Sequence, residues 1–176
     1  MSSVSSDRIR SINEAAERPD GRYVLYWMTA ARRLDSNFGL LHAVDLSRSG
    51  GRPLIVLEAV RTGYLWASDR FHRFLFDGMS EHDRRLEGSQ VLYWPYVEPA
   101  PGDGRGLLAA LAARASIVVT DDFPCFFHPR MLRAAGRAID VRLVAVDSNG
   151  VLPMSAGGRE FTTAHSFRRH LQKTCL

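Results

Sequence analysis

The sequence predicts a single α/β domain built on a doubly wound, five-stranded parallel sheet in the order 3-2-1-4-5, flanked by helices. Three observations carry that prediction. Five short runs rich in Val, Ile, Leu and aromatic residues alternate with amphipathic stretches. Gly, Pro, Asp and Asn punctuate the joins between them. The run Tyr23-Val-Leu-Tyr-Trp-Met28 is apolar or aromatic at every position, as a strand covered by helices on both faces must be. Such a strand belongs at the centre of the sheet, with its carboxyl end at Met28 opening toward a crevice.

Taken in order, residues 1–20 form an N-terminal arm, with Ile9, Ile12 and Ala16 at helical spacing and Pro19-Asp-Gly21 as the turn that ends it. This segment is expected to be an arm or a short helix laid on the domain. Residues 21–153 are the α/β domain itself. After the central strand, Phe38, Leu41 and Val44 mark the inner face of a helix from about 34 to 49, stopped by Gly50-Gly51. Leu54-Ile-Val-Leu57 is the second strand. Ser68 is placed to cap the next helix, whose Phe71, Phe74, Leu75, Met79, His82 and Leu86 recur at helical spacing. Gln90–Trp94 is the third strand, followed by a Pro- and Gly-rich loop and a short alanine-rich helix from Leu107 to Arg114. Ser116–Thr120 is the fourth strand. Pro129 suits the first turn of the helix that runs to about Ile139, and Val141–Val146 is the fifth strand. Residues 154–176 form a basic C-terminal segment in which Phe161, Ala164, Phe167 and Leu171 make one helical stripe, with Thr162 or Thr163 at its start.

Composition narrows the function. A length of 176 residues with 45% hydrophobic content suits one full core. No apolar run approaches the length of a membrane span, and the polar first 20 residues are no secretory signal. Cys125 and Cys175 make neither a metal spacing nor a disulfide framework, so a reducing, cytoplasmic setting is expected. Formal net charge is +4, of which residues 159–176 hold +3, so the main body is nearly neutral and is not expected to bind nucleic acid by itself. Neither GxGxxG nor GxxxxGK[ST] nor GxSxG occurs, and the six histidines form no metal pair.

The chemistry-bearing residues gather in loops that should share the carboxyl rim of the sheet. Arg32, Arg33 and Asn37 follow the first strand. Asp121, Asp122, Phe123, Phe126 and Phe127 follow the fourth, and Asp147 and Asn149 the fifth. Rings beside carboxylates and an amide suit a flat ligand with polar edges. Plainer roles stand beside that one: Asp121 could cap the following helix, Asp147-Ser-Asn-Gly150 is good turn chemistry, and Phe126 and Phe127 could meet a second domain.

The Tyr23–Met28 block with Arg33, Asn37 and Leu40 resembles the opening of DNA photolyases, in particular the class II branch. Arg8–Asn13 and Arg18–Arg22 are similar to the arm that leads into it. Arg70, Phe74 and Gly78, then Val118-Val119 with Asp121, then Val146–Pro153 match further landmarks in order, over about residues 8–173. The resemblance implies the N-terminal α/β domain of the photolyase/cryptochrome family. In that family this domain can hold an antenna chromophore, a deazaflavin or a folate, and a helical domain binds FAD and the DNA lesion. A chromophore held at the carboxyl rim is expected to meet Met28, Arg33, Asn37, Phe123, Asp147 and Asn149. The resemblance also implies a helical FAD-binding partner domain, in cis or in trans, DNA contact only through that domain, and no catalytic residue or metal ligand on this chain. FAD is expected only if the helical domain is present, and residues 154–176 would lead toward it. A free-standing nucleotide- or small-molecule-binding module, a scaffold that docks a separate flavoprotein, and a homodimer are the other readings.

Overall fold

A computed structural model describes residues 3–174. The chain folds as β1 (Ile9–Ser11), β2 (Tyr23–Met28), α1 (Phe38–Gly50), β3 (Leu54–Val60), α2 (Asp69–Leu86), β4 (Val91–Val97), α3 (Leu107–Ala112), β5 (Ala115–Asp122), α4 (His128–Ala138), β6 (Leu143–Asp147) and α5 (Ala164–Thr174), with short 3-10 turns at Ser6–Arg8 and Met154–Gly157. The sheet order is β1-β6-β5-β2-β3-β4. The five parallel strands thus stand in the expected relative order around Tyr23–Met28, and the fold is α/β as the sequence predicts.

The strand count differs. Ile9–Ser11 pairs antiparallel with β6, Ile9 opposite Val146 and Ser11 opposite Val144, so the sheet is six-stranded and mixed. The helical spacing of Ile9, Ile12 and Ala16 is therefore not used as a helix. Main-chain pairing to the open edge of β6 outweighs a helix too short to hold itself together.

The sheet divides two cores. Tyr26, Met28, Val56, Val119 and Val146 lie on the side of α1 and α2, whereas Leu25, Leu57, Val118, Leu143 and Ala135 lie on the side of α3 and α4. Helix boundaries follow local chemistry. The Asn37 side chain accepts from the Leu40 N–H and starts α1. Gly51 ends it in the left-handed region at φ 58°, where its amide caps the last carbonyls. The Ser68 hydroxyl caps α2. Thr163 Oγ1 accepts from the Ser166 N–H at the head of α5. Among the described residues no helix is long and apolar enough to cross a membrane. Cys125 is exposed, and Cys175 lies outside the described residues.

Gly21, just before β2, is buried with no room for a side chain: an added Cβ would sit 2.3 Å from the Ser116 backbone. Gly21→Ala must push β2 and β5 apart. It is expected to lower the unfolding free energy by about 1–3 kcal/mol, measured by urea denaturation; an unchanged midpoint would contradict the close approach.

Candidate functional site

The chain leaves β2 in opposite directions: β3 and β4 lie on one side, β5 and β6 on the other. That reversal places a switch point at the carboxyl ends of β2 and β5, where open α/β sheets hold their ligands. A crevice of about 160 Å3 lies there, lined by Ala30, Ala31, Arg33, Asp121, Asp122, Phe123, Ser148 and Asn149.

Three loops make the crevice, and buried carboxylates hold them. Asp121, 2% exposed, ends the apolar part of β5. Its Oδ2 accepts from the backbone N–H groups of Thr29 (2.7 Å), Ala30 (2.7 Å) and Ala31 (3.0 Å). Its Oδ1 accepts the Tyr26 hydroxyl at 2.5 Å. Burial, and then the neighbouring Asp121 charge, push the Tyr26 phenol well above its ordinary pKa, so it stays a donor. Asp121 anchors the loop after β2 rather than capping α4. Asn37 completes that anchor, its Nδ2 donating to Tyr26 Oη and to the carbonyls of Ala31 and Arg33, each at 2.9 Å.

The loop after β6 is held the same way. Asp147 accepts from the Asn149 N–H (2.8 Å) and the Met154 N–H (2.7 Å). Arg8, buried in the arm and stacked 4.1 Å from the Phe38 ring centre, donates to the carbonyls of Asp147, Gly150 and Val151. Cross-links tie the loops together. Arg33 donates to the Ser148 carbonyl (2.9 Å), the Ser148 hydroxyl accepts from the Phe38 N–H (3.0 Å), and Asn149 Nδ2 donates to the Asp122 carbonyl (2.6 Å). Arg10 grips Asp122 through two bonds of 2.8 and 2.9 Å.

Of the six positions expected to touch a ligand, Arg33, Phe123 and Asn149 line the crevice. Asn37 and Asp147 lie behind it with their polar atoms committed to the loops. Met28 is fully buried in the core beneath. Sequence reasoning missed Ser148 as a lining residue and Arg8 as the brace. The spacing of Arg8 and Arg10 on one arm was the only signal for the brace.

A second buried cluster lies nearby. Glu58, 1% exposed at the carboxyl end of β3, accepts from Arg32 Nη1 (2.9 Å), His82 Nδ1 (2.8 Å) and the Tyr93 hydroxyl (2.7 Å). The histidine expected on the apolar side of α2 is thus tied to a carboxylate. Among the described residues no group of three or more His, Cys, Asp or Glu side chains is placed to hold a metal.

Two other histidines set a pH response. Burial is the main cause that lowers the pKa of His42 and of His128 below the ordinary 6.5. Below about pH 6.5 the unfolded chain takes up protons that these folded-state rings resist, so stability is full above that value and falls as the solution is acidified. Denaturation midpoints at pH 7.5 and 5.5 should show the drop. His128→Gln, which can still meet Thr29 Oγ1 where Nε2 now lies at 2.8 Å, should shrink it. A pH-independent midpoint would contradict the assignment.

Comparison with known proteins gives a consistent family. A deoxyribodipyrimidine photolyase of Methanothermobacter thermautotrophicus is 30% identical over 179 residues, covering 97% of this chain and 38% of its own length. That of Arabidopsis thaliana is 26% identical over 186 residues, 97% of this chain and 35% of its own. That of Oryza sativa subsp. japonica is 32% identical over 181 residues, 94% and 34%. The match falls on the N-terminal part of each relative, and the chain spans little more than a third of their length. No protein-family model matches the chain.

Proposed function

We propose that this photolyase-like N-terminal α/β domain serves light-dependent DNA repair as the antenna side of the enzyme, and that its switch-point crevice receives one edge of a flat chromophore, a deazaflavin or a reduced folate. Bound there, such a group would supply light absorption and energy transfer. The residues supply position. The observation that carries the reading is the coincidence of a photolyase match over 97% of the chain with a crevice at the switch point. The crevice offers a ring in Phe123, an amide acceptor in Asn149 Oδ1 and a donor in Arg33 Nη1. Neither of those two polar atoms makes a hydrogen bond among the described residues. These groups fit the polar rim of a heterocycle.

The crevice is smaller than the roughly 300 Å3 at which pockets for whole drug-sized ligands begin. A chromophore would therefore project from it and be closed over by a neighbour. A helical FAD-binding domain, in cis or in trans, is the proposed neighbour, and DNA would be met only through it. The segment 154–176 leads toward that partner. Helix α5 buries none of its described residues, and its Phe167 ring rests only 5.2 Å from Phe161. A second copy of the chain is the other candidate to cover it. The free-standing module is not favoured, since the matched relatives are all photolyases.

The test is titration of residues 1–176 with a deazaflavin and with a reduced folate, followed by amide NMR. Shifts should centre on Phe123 and Asn149, and the Phe123→Ala, Asn149→Ala pair should weaken binding about tenfold, the size of about 1.4 kcal/mol. Unchanged affinity in that double variant would move the site. Residues 1–176 are also expected to retain no FAD and to restore no dimer-containing DNA under blue light; stoichiometric FAD would overturn the assignment of repair to the partner domain.

A further inference from the structure

We infer that the outer face of α4 docks an acidic, amphipathic segment of a partner protein. Helix α4 buries His128, Leu132 and Ala135 on its inner side. Its outer side carries Phe127, Arg130, Arg133, Ala134 and Arg137, all exposed. Phe127, Arg130, Ala134 and Arg137 follow one another at steps of three and four residues. They therefore share one line along the helix, about 15 Å long, with Arg133 beside it.

Charge sets the sign of the partner. Helix α4 contains neither Asp nor Glu. None of its three arginines has a salt-bridge partner among the described residues. On α2, by contrast, Arg73, Arg84 and Arg85 are met by Asp77, Glu81 and Asp35. Arg133 stands one helical turn from both Arg130 and Arg137, and like charges at that spacing are unfavourable. Arg130 also lies in the first turn, where the helix dipole disfavours a cation. Carboxylates brought from outside relieve all of these together.

Apolar surface sets the class of the partner. Phe127 is 69% exposed at the head of the arginine line. Phe126 before it is 89% exposed and stands in the left-handed region at φ 57°, which is costly for a residue with a side chain. A nucleic acid duplex offers phosphates to the arginines but no apolar partner to the two rings. The body of the domain is nearly neutral, so no wider positive field gathers a polyanion. A protein segment with carboxylates on one side and apolar side chains on the other answers both halves of the face.

The test is amide NMR of residues 1–176 titrated with an amphipathic helical peptide of Glu and Leu, about 14 residues and so about 21 Å long. The comparison probes are the same peptide with Gln for Glu, duplex DNA and single-stranded DNA. The Glu peptide should give saturable shifts centred on amides 126–137. It should bind about tenfold more tightly than the Gln peptide, as one charge-assisted contact would give. Arg133→Gln combined with Arg137→Gln should abolish that preference. Phe127→Ala should weaken the Glu peptide about tenfold, and Arg73→Gln on α2 should leave its affinity intact. All these side chains are exposed, and each variant's own spectrum checks that it folds. No saturable shift with the Glu peptide at millimolar concentration overturns the proposal. So do equal affinities for the Glu and Gln peptides, tighter binding of either DNA at this face, a preference that survives the double variant, or an unchanged affinity in Phe127→Ala. The deazaflavin titration reads Phe123 and Asn149, so either proposal can fail alone.

Discussion

Glu58→Ala is expected to lower the unfolding free energy by about 3–5 kcal/mol, the range for breaking a buried charged network by removing one partner. The carboxylate is 1% exposed and serves three donors on three different elements: Arg32 after β2, His82 on α2 and Tyr93 on β4. Burial first, and the hydrogen bond to Glu58 second, hold the Tyr93 phenol far above its ordinary pKa, so that donor has no ionised alternative. Without Glu58, the Tyr93 hydroxyl and His82 Nδ1 are stranded in an apolar layer. Glu58→Gln keeps one acceptor and turns an NH2 toward a donor, so its loss should be intermediate. Urea denaturation followed by circular dichroism gives both numbers. A loss under about 1 kcal/mol for the alanine variant would mean that the cluster is solvated rather than buried. Because this cluster ties the loop after β2 to α2 and β4, its loss should also loosen one wall of the crevice.

The parallel strands were legible because burial on both faces leaves a simple trace, an unbroken apolar run such as Leu54–Leu57. The sixth strand left none. Ile9-Arg-Ser11 is short and mostly polar, and it becomes a strand only through pairing with β6. In the crevice, Arg33, Phe123 and Asn149 were legible because loops after strands of a doubly wound sheet must converge. Met28 shows the limit: successive residues of a strand face opposite sides, and its side chain joins the core. Asn37 and Asp147 show another. A polar residue in a loop can serve a ligand or the loop's own amides, and residue type does not distinguish the two. Glu58 did leave a signal, since a carboxylate that directly continues an apolar strand has to find buried partners. Arg32 and His82 were both in view, but their distance in sequence hid the triad.

Asp121→Ala should cost about as much as the loss of Glu58, since it strands three backbone donors at about 1–3 kcal/mol for each that stays buried, and should damage the crevice more directly. The side chain gathers the N–H groups of Thr29, Ala30 and Ala31 on one oxygen and the Tyr26 hydroxyl on the other. Alanine leaves the three N–H groups without that acceptor and frees the turn that carries Arg33 into the crevice. Asparagine is the informative control. Its carbonyl can keep the three N–H groups, and its NH2 can donate to Tyr26 Oη, whose proton can turn instead to Asn37 Oδ1 at 3.2 Å. The expected cost of Asp121→Asn is therefore only about 1–2 kcal/mol, the exchange of a charged hydrogen-bond network for a neutral one. Denaturation gives the stabilities, and hydrogen exchange at amides 29–31 gives the local effect: fast exchange in the alanine variant, near-native protection in the asparagine variant. Equal losses for the two variants would show that the carboxylate acts by its charge and not as an acceptor that shapes the loop.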